Sequence, residues 1–187
     1  MITNLKDVLA ADIIVIGESF EAGAIRALLE SFSIQIRMHY IGNIKHLIAL
    51  FEDKNYFHKI VIICCHGDHD GLLIPKLAPK LEKTMPFHER LTDANLDKII
   101  NLNGQLVINT GCYLGKENFA QIFLNKGAGY YIGSNNYIEA SAIIVFITVF
   151  MYFYLTVQLP IDEAFSKAYN IDSETLMMQF MHPNKLL

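Results

Sequence analysis

Short runs of β-branched residues alternate along this chain with segments whose apolar positions recur every three or four residues. The first pattern predicts buried strands and the second predicts helices with one buried face. Asp12–Gly17 (Asp-Ile-Ile-Val-Ile-Gly) reads as a first strand, and Glu21–Phe32 as a helix with Ala22, Ile25, Leu28 and Leu29 on one side. Ile34–Tyr40 alternates apolar and polar residues, as a half-buried strand near a sheet edge does. Asn43–Glu52 is a second amphipathic helix, with Asn43 placed to cap it.

The next strand is Lys59-Ile-Val-Ile-Ile-Cys-Cys-His66-Gly67. A polar connection from Asp68 to His88 follows, in which Pro75, Pro79 and Pro86 forbid long helices. Thr92 or Asp93 can cap a short helix over Ala94–Leu102, which closes at the turn Asn103-Gly104. The fourth strand, Gln105-Leu-Val-Ile-Asn-Thr-Gly-Cys112, precedes a helix over Glu117–Asn125 that Gly127 ends. Gly129–Gly133 is a short fifth strand, and Glu163–Tyr169 a late amphipathic helix. Such strand–helix alternation implies an α/β fold, a three-layer α/β/α sandwich with a mainly parallel central sheet.

The segment Ala140–Ile161 carries no charged residue over about 22 positions, which is membrane-spanning length. Pro160 and Gln158 shorten its apolar core to about 17 residues, and no basic cluster flanks it. It therefore reads as a helix packed on the sheet rather than in a membrane. The apolar surface over residues 140–159 is expected to meet a regulatory protein partner or a second copy of the chain.

Composition narrows the picture further. A chain of 187 residues fits one domain, here residues 1–187 with a core from about 12 to 170, and can bury enough apolar surface to fold without disulfides or metal. A net charge of -4 without a basic stripe argues against a nucleic-acid partner. Three cysteines, two of them adjacent, do not make a disulfide framework and suggest a reducing, cytoplasmic compartment. Residues 1–12 have no long apolar core and do not form a signal peptide.

Candidate chemistry lies where two strands stop. His66 and Cys112 each end an apolar run, and ligands of parallel sheets sit beyond the carboxyl ends of the strands. A histidine within reach of a cysteine makes a thiolate nucleophile with its own proton carrier. The two are 46 residues apart (112 minus 66), room for one crossover unit, so their strands can be adjacent. This pairing points to a cysteine hydrolase acting on a protein or peptide substrate. Gly67 and Cys112 are the candidate backbone donors to the oxyanion, and no metal or other cofactor is called for.

The order of these motifs resembles the caspase-like (clan CD) cysteine peptidases, and more narrowly the CHAT-domain branch. Arg90-Leu-Thr-Asp-Ala-Asn-Leu96 resembles the family's short helix before the cysteine strand, and Leu106–Cys112 its "LVVLSAC" strand. Gly127–Ser134 resembles "GA-x-x-VIGS", and Phe153-Tyr154-Leu155 followed by Leu159–Ala164 resembles "FY-x-x-L" and the next helix start. In caspases the histidine lies about 50 residues upstream of the cysteine. The resemblance covers roughly Asp12 to Tyr169 and implies a cysteine endopeptidase with a Cys112–His66 dyad, controlled by a partner. It also implies that loops after the first, fourth and fifth strands read the substrate, here Glu18 and Ser19, Thr110, and Ser134, Asn135 and Asn136. Thr110-Gly111 stands where the family has Ser-Ala.

Other readings compete. A catalytically silent caspase-like module used for binding fits the apolar 140–159 helix. Cys64, Cys65, His66, Asp68, His69 and Asp70 are metal-ligand types, but Cys64 and Cys65 point to opposite faces of a strand. Gly17-Glu18-Ser19-Phe20-Glu21 falls where a nucleophile elbow would lie, yet lacks the last glycine and leaves His182 in a tail.

Overall fold

The computed structural model describes residues 9–183. Six strands form the central sheet: β1 (Ala10–Ile16), β2 (Gln35–Ile41), β3 (Ile60–Cys64), β7 (Leu106–Asn109), β8 (Tyr130–Ser134) and β9 (Met178–Met181). Their spatial order is β2-β1-β3-β7-β8-β9, parallel except for β9, which runs antiparallel to β8. A second, three-stranded antiparallel sheet joins β4 (Gly67–Asp68), β5 (Gly71–Leu73) and β6 (Arg90–Leu91).

The helices are α1 (Glu21–Ser31), α2 (Ile44–Leu50), α3 (Pro79–Glu82), α4 (Asp93–Ile99), α5 (Glu117–Asn125), α6 (Ala140–Met151) and α7 (Ile161–Tyr169). Strand periodicity divides them into two layers, because successive side chains leave the sheet on opposite faces. Ile14, Val61, Ile63 and Val107 pack against Leu47 of α2, Leu96 of α4 and Phe119 and Phe123 of α5. Ile13, Ile62 and Ile108 pack against Ile25 of α1, Phe146 and Phe150 of α6 and Ala164 of α7. The architecture is the expected α/β/α sandwich with a mainly parallel sheet.

Helix signals worked locally. Asn43 Oδ1 accepts the N–H of Lys45 at the start of α2. Thr92 caps α4 in a reciprocal box with Asn95. Gly127 follows α5 at φ +101°, where a Cβ would press on the Leu102 carbonyl.

The apolar 140–161 segment departs from expectation in one respect: it is not α-helical throughout. The α-helix stops at Met151, and Tyr152–Thr156 forms a wider π turn. Val157 N–H then donates to Tyr152 O, Gln158 takes φ +61° and Pro160 supplies no N–H, so the helix cannot continue. Its apolar residues Ala142, Ile143, Phe146, Ile147, Phe150 and Met151 are buried on the sheet, leaving Val145 and Tyr152 exposed. Among the described residues, no helix is long and apolar enough to cross a membrane. The connection after His66 also differs: it carries the small β4–β5–β6 sheet and the four-residue α3, elements too short for periodicity to reveal.

Candidate active site

The strand order reverses direction between β1 and β3. The chain moves outward from β1 to β2, then returns across β1 to β3 and on to β7. Such a reversal opens a crevice beyond the carboxyl ends of the strands, because the flanking crossovers leave to opposite faces. The loops after β1, β3, β7 and β8 border it. They hold Glu18 and Ser19, His66, Cys112, and Asn135 and Asn136 respectively.

Register places the two candidate residues beyond adjacent strand ends. The last paired positions of β3 and β7 are Ile63 and Asn109. Thr110 N–H continues the ladder onto Ile63 O at 2.9 Å, and Cys65 N–H donates to Thr110 Oγ1 at 3.3 Å. His66 and Cys112 each lie three residues past Ile63 and Asn109, at equal offsets in the loops beyond the two neighbouring strands. Alternation continues too: Cys65 packs in the α2/α4/α5 layer, whereas Cys64 and Cys112 pack in the α1/α6/α7 layer. The backbones meet closely, since a Cβ on Gly67 would overlap the carbonyl oxygen of Cys112 and come within 2.8 Å of Leu114 Cγ.

His66 is exposed and Cys112 is half-buried. The Cys112 thiol lies 3.8 Å from the Ile138 carbonyl oxygen, to which it can donate, and no hydrogen bond joins it to the His66 ring. Among the described residues the backbone N–H of Cys112 has no acceptor, while Thr110, Gly111 and Tyr113 on either side all donate. Gly67 forms a non-hydrogen-bonded pair with Leu72, because Leu73 N–H bonds the carbonyl of His66 instead. Its N–H is thereby turned away from β5.

The cysteine loop is held from three sides. Asn109 Oδ1 accepts Gly111 N–H at 2.9 Å and the Cys65 thiol at 3.4 Å. Tyr113 N–H donates to Asn136 O at 3.1 Å and Gly115 N–H to Ser134 O at 2.6 Å, tying the loop to the one after β8. Gly115 permits this, because a Cβ there would overlap the Gly133 backbone.

Among the expected substrate residues, Glu18, Asn135 and Asn136 are exposed at the crevice. Thr110 and Ser134 are buried with their hydroxyls engaged. Thr110 Oγ1 donates to Glu21 Oε1 at 2.9 Å, and Ser134 Oγ donates to Asn136 O at 2.9 Å. Glu21, 8 % exposed, was hidden from the sequence because an acidic first residue of a helix ordinarily faces solvent. Its buried neighbour Ser19 Oγ has no hydrogen-bond partner among the described residues.

Two of the thiols, Cys64 and Cys65, are held in the neutral form. Burial pushes the Cys64 thiol far above the ordinary range, and the Glu21 carboxylate pushes it further. Burial does the same to Cys65, reinforced by Cys64 and Glu21. Neither is a thiolate near neutrality. No three His, Cys, Asp or Glu side chains among the described residues converge as a metal site, so the Cys64–Asp70 run does not assemble into one.

No protein-family model matches the chain, and no curated protein matches it. Solved structures do. The Arg-specific cysteine proteinase gingipain R aligns with a TM-score of 0.57 at 12 % identity, over 91 % of this chain and 46 % of that one. A chain of the Saccharomyces cerevisiae separase–securin complex aligns at 0.58 and 10 % identity, over 92 % and 12 %. A secreted C11 cysteine protease from Bacteroides thetaiotaomicron, solved with an irreversible peptide inhibitor, aligns at 0.52 and 13 % identity, over 88 % and 58 %. The chain thus spans less than two thirds of each of these proteins, and at such identities what it shares with them is a caspase-like fold.

Proposed function

We propose that the chain is a cysteine endopeptidase that cleaves a protein substrate with a Cys112–His66 dyad. The observation that carries this reading is the equivalent placement of the two residues, three positions beyond the last rung between β3 and β7. The likeness of fold to cysteine proteases supports it.

In this mechanism the Cys112 sulfur attacks the scissile carbonyl while its proton passes to His66. The carbonyl oxygen becomes an oxyanion, held by the N–H groups of Cys112 and Gly67, both of which are unengaged by neighbouring strands. Collapse breaks the C–N bond, and His66 gives its proton to the leaving amine. Water, deprotonated by His66, then releases the acyl group and restores the thiol. Glu18, Asn135 and Asn136 read the substrate at the crevice rim, while Thr110 and Ser134 support the rim from beneath. The motif order suggests the CHAT branch of the clan, and control by a protein partner.

A second reading, a catalytically silent binding module, draws on the absence of a hydrogen bond between His66 and Cys112 and on the contact of the thiol with Ile138 O. Unliganded catalytic hydrogen bonds are commonly long and tighten when substrate binds, which is compatible with the dyad. Iodoacetamide and a fluorescent casein digest separate the two readings. The endopeptidase should be alkylated selectively at Cys112, with Cys64 and Cys65 silent, and Cys112→Ala should abolish cleavage with an unchanged unfolding midpoint. Cleavage retained in C112A refutes the dyad, and indiscriminate or absent alkylation of Cys112 favours the silent module.

A further inference from the structure

We infer that His69, Tyr113 and Lys116 form a clamp that positions the histidine arm against the cysteine loop. This deepens the dyad reading and rests on it. The chain does not otherwise fix the His66 side chain, whose ring makes no hydrogen bond among the described residues. What orients it must act through the backbone on either side. On one side is β3. On the other is the hairpin of β4 and β5, whose turn carries His69 three residues after His66.

That turn is rigid. Asp68 Oδ1 accepts the N–H groups of Asp70 and Gly71 at 2.9 and 3.1 Å. Gly71 has φ +151°, and a Cβ there would overlap the Leu91 carbonyl of β6. Arg90 of β6 reaches back to both flanking carboxylates, Asp70 at 2.6 Å and Asp68 at 3.3 Å. His69 is held between these two anchors and projected toward the cysteine loop.

Tyr113, directly after Cys112, receives it. Its φ of +64° is a left-handed conformation uncommon for an aromatic residue, and it is fixed by the N–H bond to Asn136 O. The two rings lie 3.9 Å apart between centroids, inclined by 32°. Lys116 closes the group. Its ammonium stands 5.0 Å from the Tyr113 centroid and donates to His69 Nδ1 at 2.9 Å. An ammonium only donates, so Nδ1 is the acceptor and the ring proton sits on Nε2. The tilted ring contact and the cation over the Tyr113 ring each favour the closed arrangement. A contact three residues beyond His66 and one residue beyond Cys112 thus bridges the two halves of the dyad. His69 is a positioning residue in this scheme; it does not touch the reacting atoms.

The test follows alkylation of Cys112 by iodoacetamide in the purified chain. The first arm compares wild type with His66→Ala: a slower H66A supports the dyad, whereas equal rates remove the dyad reading and the clamp's role with it. The second arm adds His69→Ala, expected to slow alkylation about 10- to 100-fold, the scale of a 1 Å misplacement. His69→Phe, which keeps the stack, should recover to within about twofold of wild type on the same logic of ring packing. His69→Ala in the H66A background should slow nothing further. Tyr113→Leu provides an independent break of the stack, with the same expectation, should H69A not fold. Wild-type alkylation in H69A or Y113L, no recovery in H69F, or a full H69A effect without His66 overturns the clamp while leaving the dyad standing.

Discussion

Thr110 Oγ1 donates to Glu21 Oε1 at 2.9 Å, joining the last residue of the β7 ladder to the first residue of α1. The same hydroxyl oxygen accepts Cys65 N–H at 3.3 Å, so one buried group ties two strand ends to a helix start. It sits two residues before Cys112 and one before Gly111. Thr110→Val keeps the shape but leaves the Glu21 carboxylate and the Cys65 N–H short of a partner. Loss of a buried hydrogen bond that involves a charged group should lower stability by about 1–3 kcal/mol. Urea unfolding measures it, and a T110V midpoint equal to wild type would show that Glu21 finds its hydrogen bonds elsewhere.

The Thr110–Glu21 contact spans 89 residues of sequence, which explains why pattern reading missed it. Hydropathy served well for β3 and β7, whose runs are apolar on both faces, and for α5, whose apolar residues lie on one face. The reactive ends were legible for the same reason: an apolar run that stops at His66 or Cys112 marks a strand end in the sheet. Glu21, Tyr113 and His69 gained their roles from partners on other elements, and nothing in their own surroundings marks them. Asn109 did carry a readable signal, since Asn before Thr-Gly can accept the N–H two residues on, as it does from Gly111. The strands β4, β5 and β6 have two or three residues, below the length at which alternation is visible. In the 140–161 segment Gln158 and Pro160 were readable as the end of the helix, but uninterrupted apolarity could not reveal the π turn over Tyr152–Thr156 that precedes them.

Asp12 provides a pH prediction away from the crevice. It is fully buried on β1, where burial works to raise its pKa. The bonds from His39 at 2.7 Å, Arg37 at 2.5 Å and His58 N–H at 2.7 Å outweigh that and hold the carboxyl well below the usual carboxylate range. Its contribution to stability is therefore complete above the unfolded-state value near 4 and is lost progressively as pH falls from there toward the depressed folded value. Asp12→Asn removes this dependence. It should also lower stability at pH 7 by about 1–3 kcal/mol, the scale for a lost buried hydrogen bond to a charged group, because the Arg37 side chain is partly solvated. Urea midpoints at pH 7, 4 and 3 for both proteins check the sign: wild type should lose more than D12N between pH 4 and 3, and parallel losses would rule out a depressed Asp12.

Gly67 has the narrowest tolerance near the proposed site. Ordinary φ is compatible with alanine there, so the restriction is space, not backbone conformation. An added Cβ would overlap Cys112 O and meet Leu114 Cγ at 2.8 Å and Cδ1 at 3.0 Å. The leucine tip can move, but the carbonyl belongs to the backbone of the cysteine itself. Gly67→Ala must therefore push the histidine arm and the cysteine loop apart. Overpacking of this sort costs about 1–3 kcal/mol of stability. If Cys112 and His66 act together, the same displacement slows alkylation of Cys112 by far more than the stability change accounts for, on the order of 10- to 100-fold. Thermal unfolding and alkylation rates measured on the same preparation separate the two effects. A G67A protein that is destabilised yet alkylated at the wild-type rate would mean that Cys112 reacts without help from the strand beside it.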